Sequence, residues 1–221
     1  MLRFVFLLAA QLLPPVALVL LGWGFQNLRT FLVNPARAGF AAVTLAAVVA
    51  AAFCSLNIHP LRRGARPLGS QSLQLGALLL LSFALLWFLP FADHRQIFTL
   101  RHEYWRYVGL VLYCIGVGVR LLGLHALGEY FSAYVTLQAN HRLVQRGIYR
   151  SIRHPLYLSL LLAPTGFALV FASRLASLIL LLAWIFVLDR IGREEDMLIE
   201  YFGEEFADYQ RRTWKLIPLV F

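Results

Sequence analysis

Apolar residues in this chain fall into long stretches separated by short polar segments. The stretches run roughly from Phe4 to Gly24, Ala38 to Ile58, Leu73 to Ala92, Tyr107 to Leu127, Pro155 to Ala172 and Leu175 to Leu188. A helix needs about 20 apolar residues to cross a bilayer, so the first four predict single spans. The last two predict a tight helical hairpin broken at Ser173 and Arg174. The sixth stretch is short, and it is expected to continue as helix through Asp189 and Arg190, lifting both charges to the membrane surface. Only Arg3 precedes the first stretch and no small-residue cleavage site follows it, so it is expected to stay as a span rather than leave as a signal peptide.

Past the sixth stretch the pattern changes. Eight of the eleven acidic residues fall after Leu188, and Leu198, Ile199, Phe202, Phe206 and Tyr209 recur at three- and four-residue spacing. That periodicity predicts an amphipathic helix lying on the membrane face or capping the bundle, with Gly203 as a weak point. The expected fold is an all-α polytopic transmembrane bundle of about five to six spans, the last two a hairpin. It divides into residues 1–127, with four spans, and residues 128–221, with a polar loop, the hairpin and the C-terminal helix.

Composition agrees with this picture. Of 221 residues, 60% are hydrophobic and 14% charged, more apolar surface than one soluble core of this length could bury. The net charge of +9 is informative through its distribution. If the loop after Gly128 and the tail share a side, thirteen basic residues lie there: Arg3, Arg62, Arg63, Arg66, Arg142, Arg146, Arg150, Arg153, Arg190, Arg193, Arg211, Arg212 and Lys215. Six lie on the other side, which predicts that the loop and both termini face the cytoplasm. Arg120 lies late in the fourth span, close enough to its end to snorkel. No basic tail or stripe suggests nucleic acid. Cys54 and Cys114 sit inside apolar stretches, and no His/Cys/Asp cluster has metal-ligand spacing, so neither a disulfide nor a metal is expected.

Candidate chemistry concentrates between His141 and Tyr157. Pro155 suits the first turn of a helix, where its missing N–H would be unpaired anyway. The other amides of that turn can hold an anion, with Arg153 and His154 beside them, and His154 and Tyr157 share a face three residues apart. Upstream, Gly147 followed by Tyr149 and Arg150 suits a tight turn that packs a ring against backbone, and a basic loop bound to lipid headgroups would read the same way. Helical spacing puts Arg190 and Glu194 on one face, in the weaker order for an ion pair, so each is expected to have a further partner. An Arg there can hold a carboxylate, and a Glu can accept from an amine or a ribose hydroxyl.

Taken in order, His141-x-Leu143-Val144, Gly147-x-Tyr149-Arg150, Arg153-His154-Pro155-x-Tyr157, Arg190-x3-Glu194-Glu195, Phe202-Gly203-Glu204-Glu205 and Ile217-Pro218 resemble the isoprenylcysteine carboxyl methyltransferase family and its phospholipid methyltransferase relatives. The match covers about the C-terminal 40% of the chain, from Phe131 to Pro218. The resemblance implies a membrane methyltransferase using S-adenosylmethionine. It implies a cofactor site made of Thr136, His141, Leu143, Val144, Gly147, Tyr149, Arg153, His154, Pro155, Leu156, Tyr157 and Glu194. Arg190, Glu194 and Glu195 are implied as catalytic, with Arg190 facing a lipophilic acceptor that enters from the bilayer. Ser159 stands where the family commonly has Gly, and Ile148 where it often has Pro. The acceptor is expected to be an isoprenylcysteine-type carboxylate. A phospholipid amine or a small thiol, an NADPH-dependent reductase of related fold, and a non-enzymatic scaffold are the competing readings.

Overall fold

A computed structural model describes residues 16–54, 69–128 and 143–218. Arg3, His59, Arg62, Arg63, Arg66, Thr136, His141, Arg142 and most of the first apolar stretch lie outside the described residues. The described chain is all helical, with two isolated backbone bridges. The described part of α1, Val16–Trp23, bends by 87° at Gly24 into a short 3-10 turn and α2, Leu28–Val33. Then come α3 (Pro35–Cys54), α4 (Gly69–His94), α5 (Tyr104–Leu127), α6 (Pro155–Val170), α7 (Leu175–Phe202) and α8 (Glu204–Arg212). Among the described residues α5 is the helix long and apolar enough to cross a bilayer by itself, and α1 with α2 forms a second candidate if the bent pair is one span.

The most extensive pairing joins α5 to α6, and small residues make it close. Gly109, Gly116 and Gly123 repeat every seven residues and put one face of α5 against α6. A methyl group at Gly116 would stand 2.6 Å from the Ala163 nitrogen, and one at Gly166 would stand 2.3 Å from the Tyr113 nitrogen. Backbones approach this closely where apolar helices associate through dispersion rather than water exclusion. The hairpin forms as expected, with α6 ending at Val170 and α7 starting at Leu175. α7 also continues as one helix through Asp189 and Arg190.

The tail departs from the single amphipathic helix that its periodicity predicts. α7 runs unbroken to Phe202, Gly203 turns the chain at φ +56, and α8 begins at Glu204. Glycine adopts that left-handed conformation without the Cβ clash other residues meet, so it ends the helix rather than weakening it. The apolar stripe is therefore divided: Phe206 and Tyr209 are buried, whereas Ile199 is 45% exposed.

Two cores result, at opposite ends of the bundle. One gathers Trp23, Phe31, Phe40, Phe167 and Phe171. The other gathers Ile152, Leu158, Leu161, Val187, Ile191 and Leu216 beneath the polar loop.

Candidate active site

The site is built where α6 starts and α7 leaves the apolar bundle. Before α6, a 3-10 turn spans Gly147–Arg150, and Gly147 takes φ +58 where an added Cβ would stand 3.2 Å from that of Ala126 at the end of α5. Arg146 donates from Nε to the Ala126 carbonyl at 3.2 Å, meeting one of the acceptors that a helix end leaves unpaired. Pro155 occupies the first turn of α6 and His154 is its N-cap.

The C-terminal segment is laid along the entry to α6. The Arg153 and His154 amides donate to the Trp214 and Lys215 carbonyls at 2.8 and 3.2 Å, and the Trp214 amide donates to the Ser151 carbonyl at 2.9 Å. Tyr209 donates its hydroxyl to the Tyr149 carbonyl at 2.6 Å. Burial pushes the Tyr209 phenol up to about 12, against the lowering effect of Arg153, so it stays a donor at neutral pH. Arg153 reaches the carbonyls of Gln210 and Thr213 through Nη1, tying the end of α8 to the same place.

The Arg153 and His154 side chains both meet the protein's own Glu195. Its Oε1 accepts from Arg153 Nε at 3.0 Å and lies 3.1 Å from His154 Nε2, and its Oε2 accepts from Lys215 Nζ at 2.9 Å. Burial alone would raise this carboxyl, but the hydrogen bonds from His154, Lys215 and Arg153 hold it down at about 2. An ionised carboxylate can only accept, so His154 carries its proton on Nε2. Glu195 thus joins α7 to the start of α6 and to the tail.

Glu194, one residue earlier, faces elsewhere, because successive helical positions point about 100° apart. Tyr157 donates its hydroxyl to Glu194 Oε2 at 2.5 Å and accepts from Arg190 Nε at 2.9 Å. Arg190 and Glu194 therefore meet through a tyrosine on α6 rather than as a direct pair. The His154 and Tyr157 rings lie 5.7 Å apart. Tyr149 is buried close by, and burial together with the Glu194 charge pushes its phenol up.

The fold therefore brings Tyr149, His154, Tyr157, Arg190 and Glu194 into one corner, with Leu156 packed on Gly123 beside it and Leu143 and Val144 half-buried on the loop leading in. Ser159 is buried and donates to the Leu156 carbonyl at 2.6 Å, so a hydroxyl is satisfied where the family commonly has Gly. Arg120 is exposed on α5. Motif reading expected the tail to cap the bundle but did not name Tyr209, Thr213 or Lys215 at the site. One signal was available: Lys215 is the only lysine in a chain with nineteen arginines.

Known proteins resemble the chain in sequence and in fold. Residues 108–200 match the model of the isoprenylcysteine carboxyl methyltransferase (ICMT) family. A probable protein-S-isoprenylcysteine O-methyltransferase of Oryza sativa subsp. indica is 32% identical over 147 residues, 64% of this chain and 75% of that protein. The protein-S-isoprenylcysteine O-methyltransferase of Saccharomyces cerevisiae is 33% identical over 116 residues, 51% of this chain and 48% of that one. The solved structure of a eukaryotic intramembrane Ras methyltransferase of this family superposes with a TM-score of 0.52 at 22% identity, covering 80% of this chain and 67% of that one. With the described residues of its ordered motifs gathered at one end of a helical bundle and a relative matched over three quarters of its length, the chain belongs to the isoprenylcysteine carboxyl methyltransferase family.

Proposed function

We propose that this protein is a multi-pass membrane methyltransferase that uses S-adenosylmethionine to methylate the carboxylate of an isoprenylcysteine-type acceptor. Residues 128–221 form its catalytic region, on the cytoplasmic side of a bundle of five to six spans. The observation that carries the reading is the Arg190–Tyr157–Glu194 chain, at the point where α7 leaves the apolar bundle. The residues present suit the cofactor. Glu194 is half-buried, and its Oε1 takes no hydrogen bond among the described residues, so it can accept from a cationic amine or a ribose hydroxyl. Tyr149, His154 and Tyr157 supply flat surfaces around it, with His141 and Thr136 completing the site by resemblance.

S-adenosylmethionine supplies a methyl already activated by its sulfonium, so the protein needs no strong acid or base. Its residues align the acceptor oxygen with that methyl and keep water away. Arg190 holds the acceptor carboxylate ionised and nucleophilic. Tyr157 fixes the distance between the residue that orients the acceptor and the residue that holds the cofactor. Glu195 stays outside the reaction and keeps the tail closed over the start of α6.

The test separates the two roles. Arg190→Ala is expected to abolish turnover while S-adenosylhomocysteine still binds, and Glu194→Ala to weaken that binding. Equal loss of binding and turnover in both variants contradicts the assignment. Binding of NADPH in place of S-adenosylhomocysteine would point to a reductase instead.

A further inference from the structure

The end of the bundle opposite this site holds a second polar cluster that methyl transfer does not use. Gly123 beside Leu156 and Arg106 beside Val170 are seventeen residues apart on α5, about 25 Å along the helix. At the far end Asp93 is buried and accepts from Arg37 Nη1 at 3.0 Å and from Arg106 Nη1 and Nη2 at 2.8 and 2.7 Å. Arg106 donates further to the Val170 carbonyl at 2.8 Å and to Glu103 at 3.1 Å. Arg37 stacks on Trp23 with its guanidinium carbon 4.4 Å from the ring centre. These groups pair with one another and form the floor of a cavity.

Above that floor is a cavity of about 570 Å³, within the range of small-ligand sites. Its charged lining is Arg37, Arg101 and Arg106 against Asp93 and Glu103, with His94 beside them, leaving one positive charge in excess. The floor accounts for the paired charges, so the excess resides on Arg101. Arg101 is exposed at the rim and makes no ion pair or hydrogen bond among the described residues, and neither does the Gln96 side chain.

The loop that presents both residues is held firmly. Leu100 donates to the Ala172 carbonyl at 2.7 Å, and Arg174 donates to the Phe98 carbonyl at 2.9 Å. Gln96, Phe98 and Ala172 all take left-handed φ values, between 48° and 56°, a strain that surrounding structure must maintain. The two segments that line the cavity also carry exposed Phe25, Leu28, Ile97 and Phe98. Polar cavity and apolar border together suit an amphipathic anion at a bilayer interface.

We infer that this cavity holds the phosphate of an anionic phospholipid headgroup, with Arg101 as its charge partner, Gln96 as a second donor and the exposed apolar side chains against the acyl chains. The choice of a lipid rests on the membrane placement proposed above; the oxyanion chemistry does not.

The test measures thermal unfolding of purified protein in neutral detergent, with phosphatidylglycerol, phosphatidylcholine or inorganic phosphate added. Phosphatidylglycerol is expected to raise the unfolding temperature of the wild type. Arg101→Gln should weaken its apparent affinity about tenfold, as expected for loss of a charged hydrogen-bond partner. Arg212→Gln, at the other end of the molecule, should leave it unchanged. No stabilisation by phosphatidylglycerol, or equal stabilisation of wild type and Arg101→Gln, overturns the site. Equal stabilisation by phosphatidylcholine overturns the requirement for net negative charge. Stabilisation by inorganic phosphate as large as by the lipid overturns the lipid and leaves a simple anion site, without bearing on methyl transfer.

Discussion

Glu195→Gln tests whether one carboxylate holds the tail closed over the entry to α6. The substitution keeps the side chain's size and removes its charge, leaving Arg153, His154 and Lys215 around a neutral amide. Holding the carboxyl at about 2 instead of the ordinary 4.5 corresponds to about 3 kcal/mol at neutral pH. Removing one partner of a buried ion pair costs about 3–5 kcal/mol, but the Lys215 side chain keeps 28% of its surface exposed, so water shares that charge. The expected loss is therefore about 2–3 kcal/mol, or about 5–10 °C in unfolding temperature for a chain of this size.

The pH dependence has a definite sign. Because the folded carboxyl is depressed, its contribution is complete above about pH 4.5 and disappears as pH falls towards 2. The wild type should lose its advantage over Glu195→Gln across that interval and keep it at neutral pH. Trypsin offers a local readout, since Arg211, Arg212 and Lys215 all lie in the docked segment. Cleavage there should be faster in Glu195→Gln at neutral pH. Equal unfolding temperatures and equal cleavage rates at pH 7 would refute the role assigned to Glu195.

Two further outcomes follow from the geometry. Tyr157→Phe removes the hydroxyl between Arg190 and Glu194, and should lower kcat/KM about 10- to 100-fold while the protein stays folded, measured by methyl transfer alongside thermal unfolding. Gly166→Ala pushes a methyl into the Tyr113 backbone and should destabilise by about 1–3 kcal/mol, whereas Gly76→Ala, with nothing within 4 Å, should not destabilise.

The hairpin and the continuation of α7 were legible because they rest on length and unbroken apolarity, which lie in consecutive residues. The tail was legible only in part. Period alone did not distinguish a helix that runs through Gly203 from two helices that pivot on it, since the same side chains recur at the same spacing either way. At the site, the Arg190 and Glu194 spacing and its weaker order indicated further partners, and both side chains meet Tyr157. Motif reading put Glu194 and Glu195 together in the catalytic set and only Glu194 in the cofactor set; adjacent helical residues face different neighbours, and the structure puts one on Tyr157 and the other on Arg153, His154 and Lys215. The Arg37–Asp93–Arg106 cluster was invisible for a related reason. Its members lie on three different helices, and each alone looks like an ordinary charge at the edge of an apolar stretch.

The central claim is methyl transfer to a lipophilic carboxylate at the start of α6. Membranes containing this protein, given S-adenosylmethionine with a radiolabelled methyl and a prenylcysteine analogue beside extracted phospholipids and small thiols, test it most directly. Base-labile label on the prenylcysteine analogue, absent with Arg190→Ala, is the result expected. Label on phospholipid or thiol with none on the carboxylate, or on no acceptor at all, would contradict it.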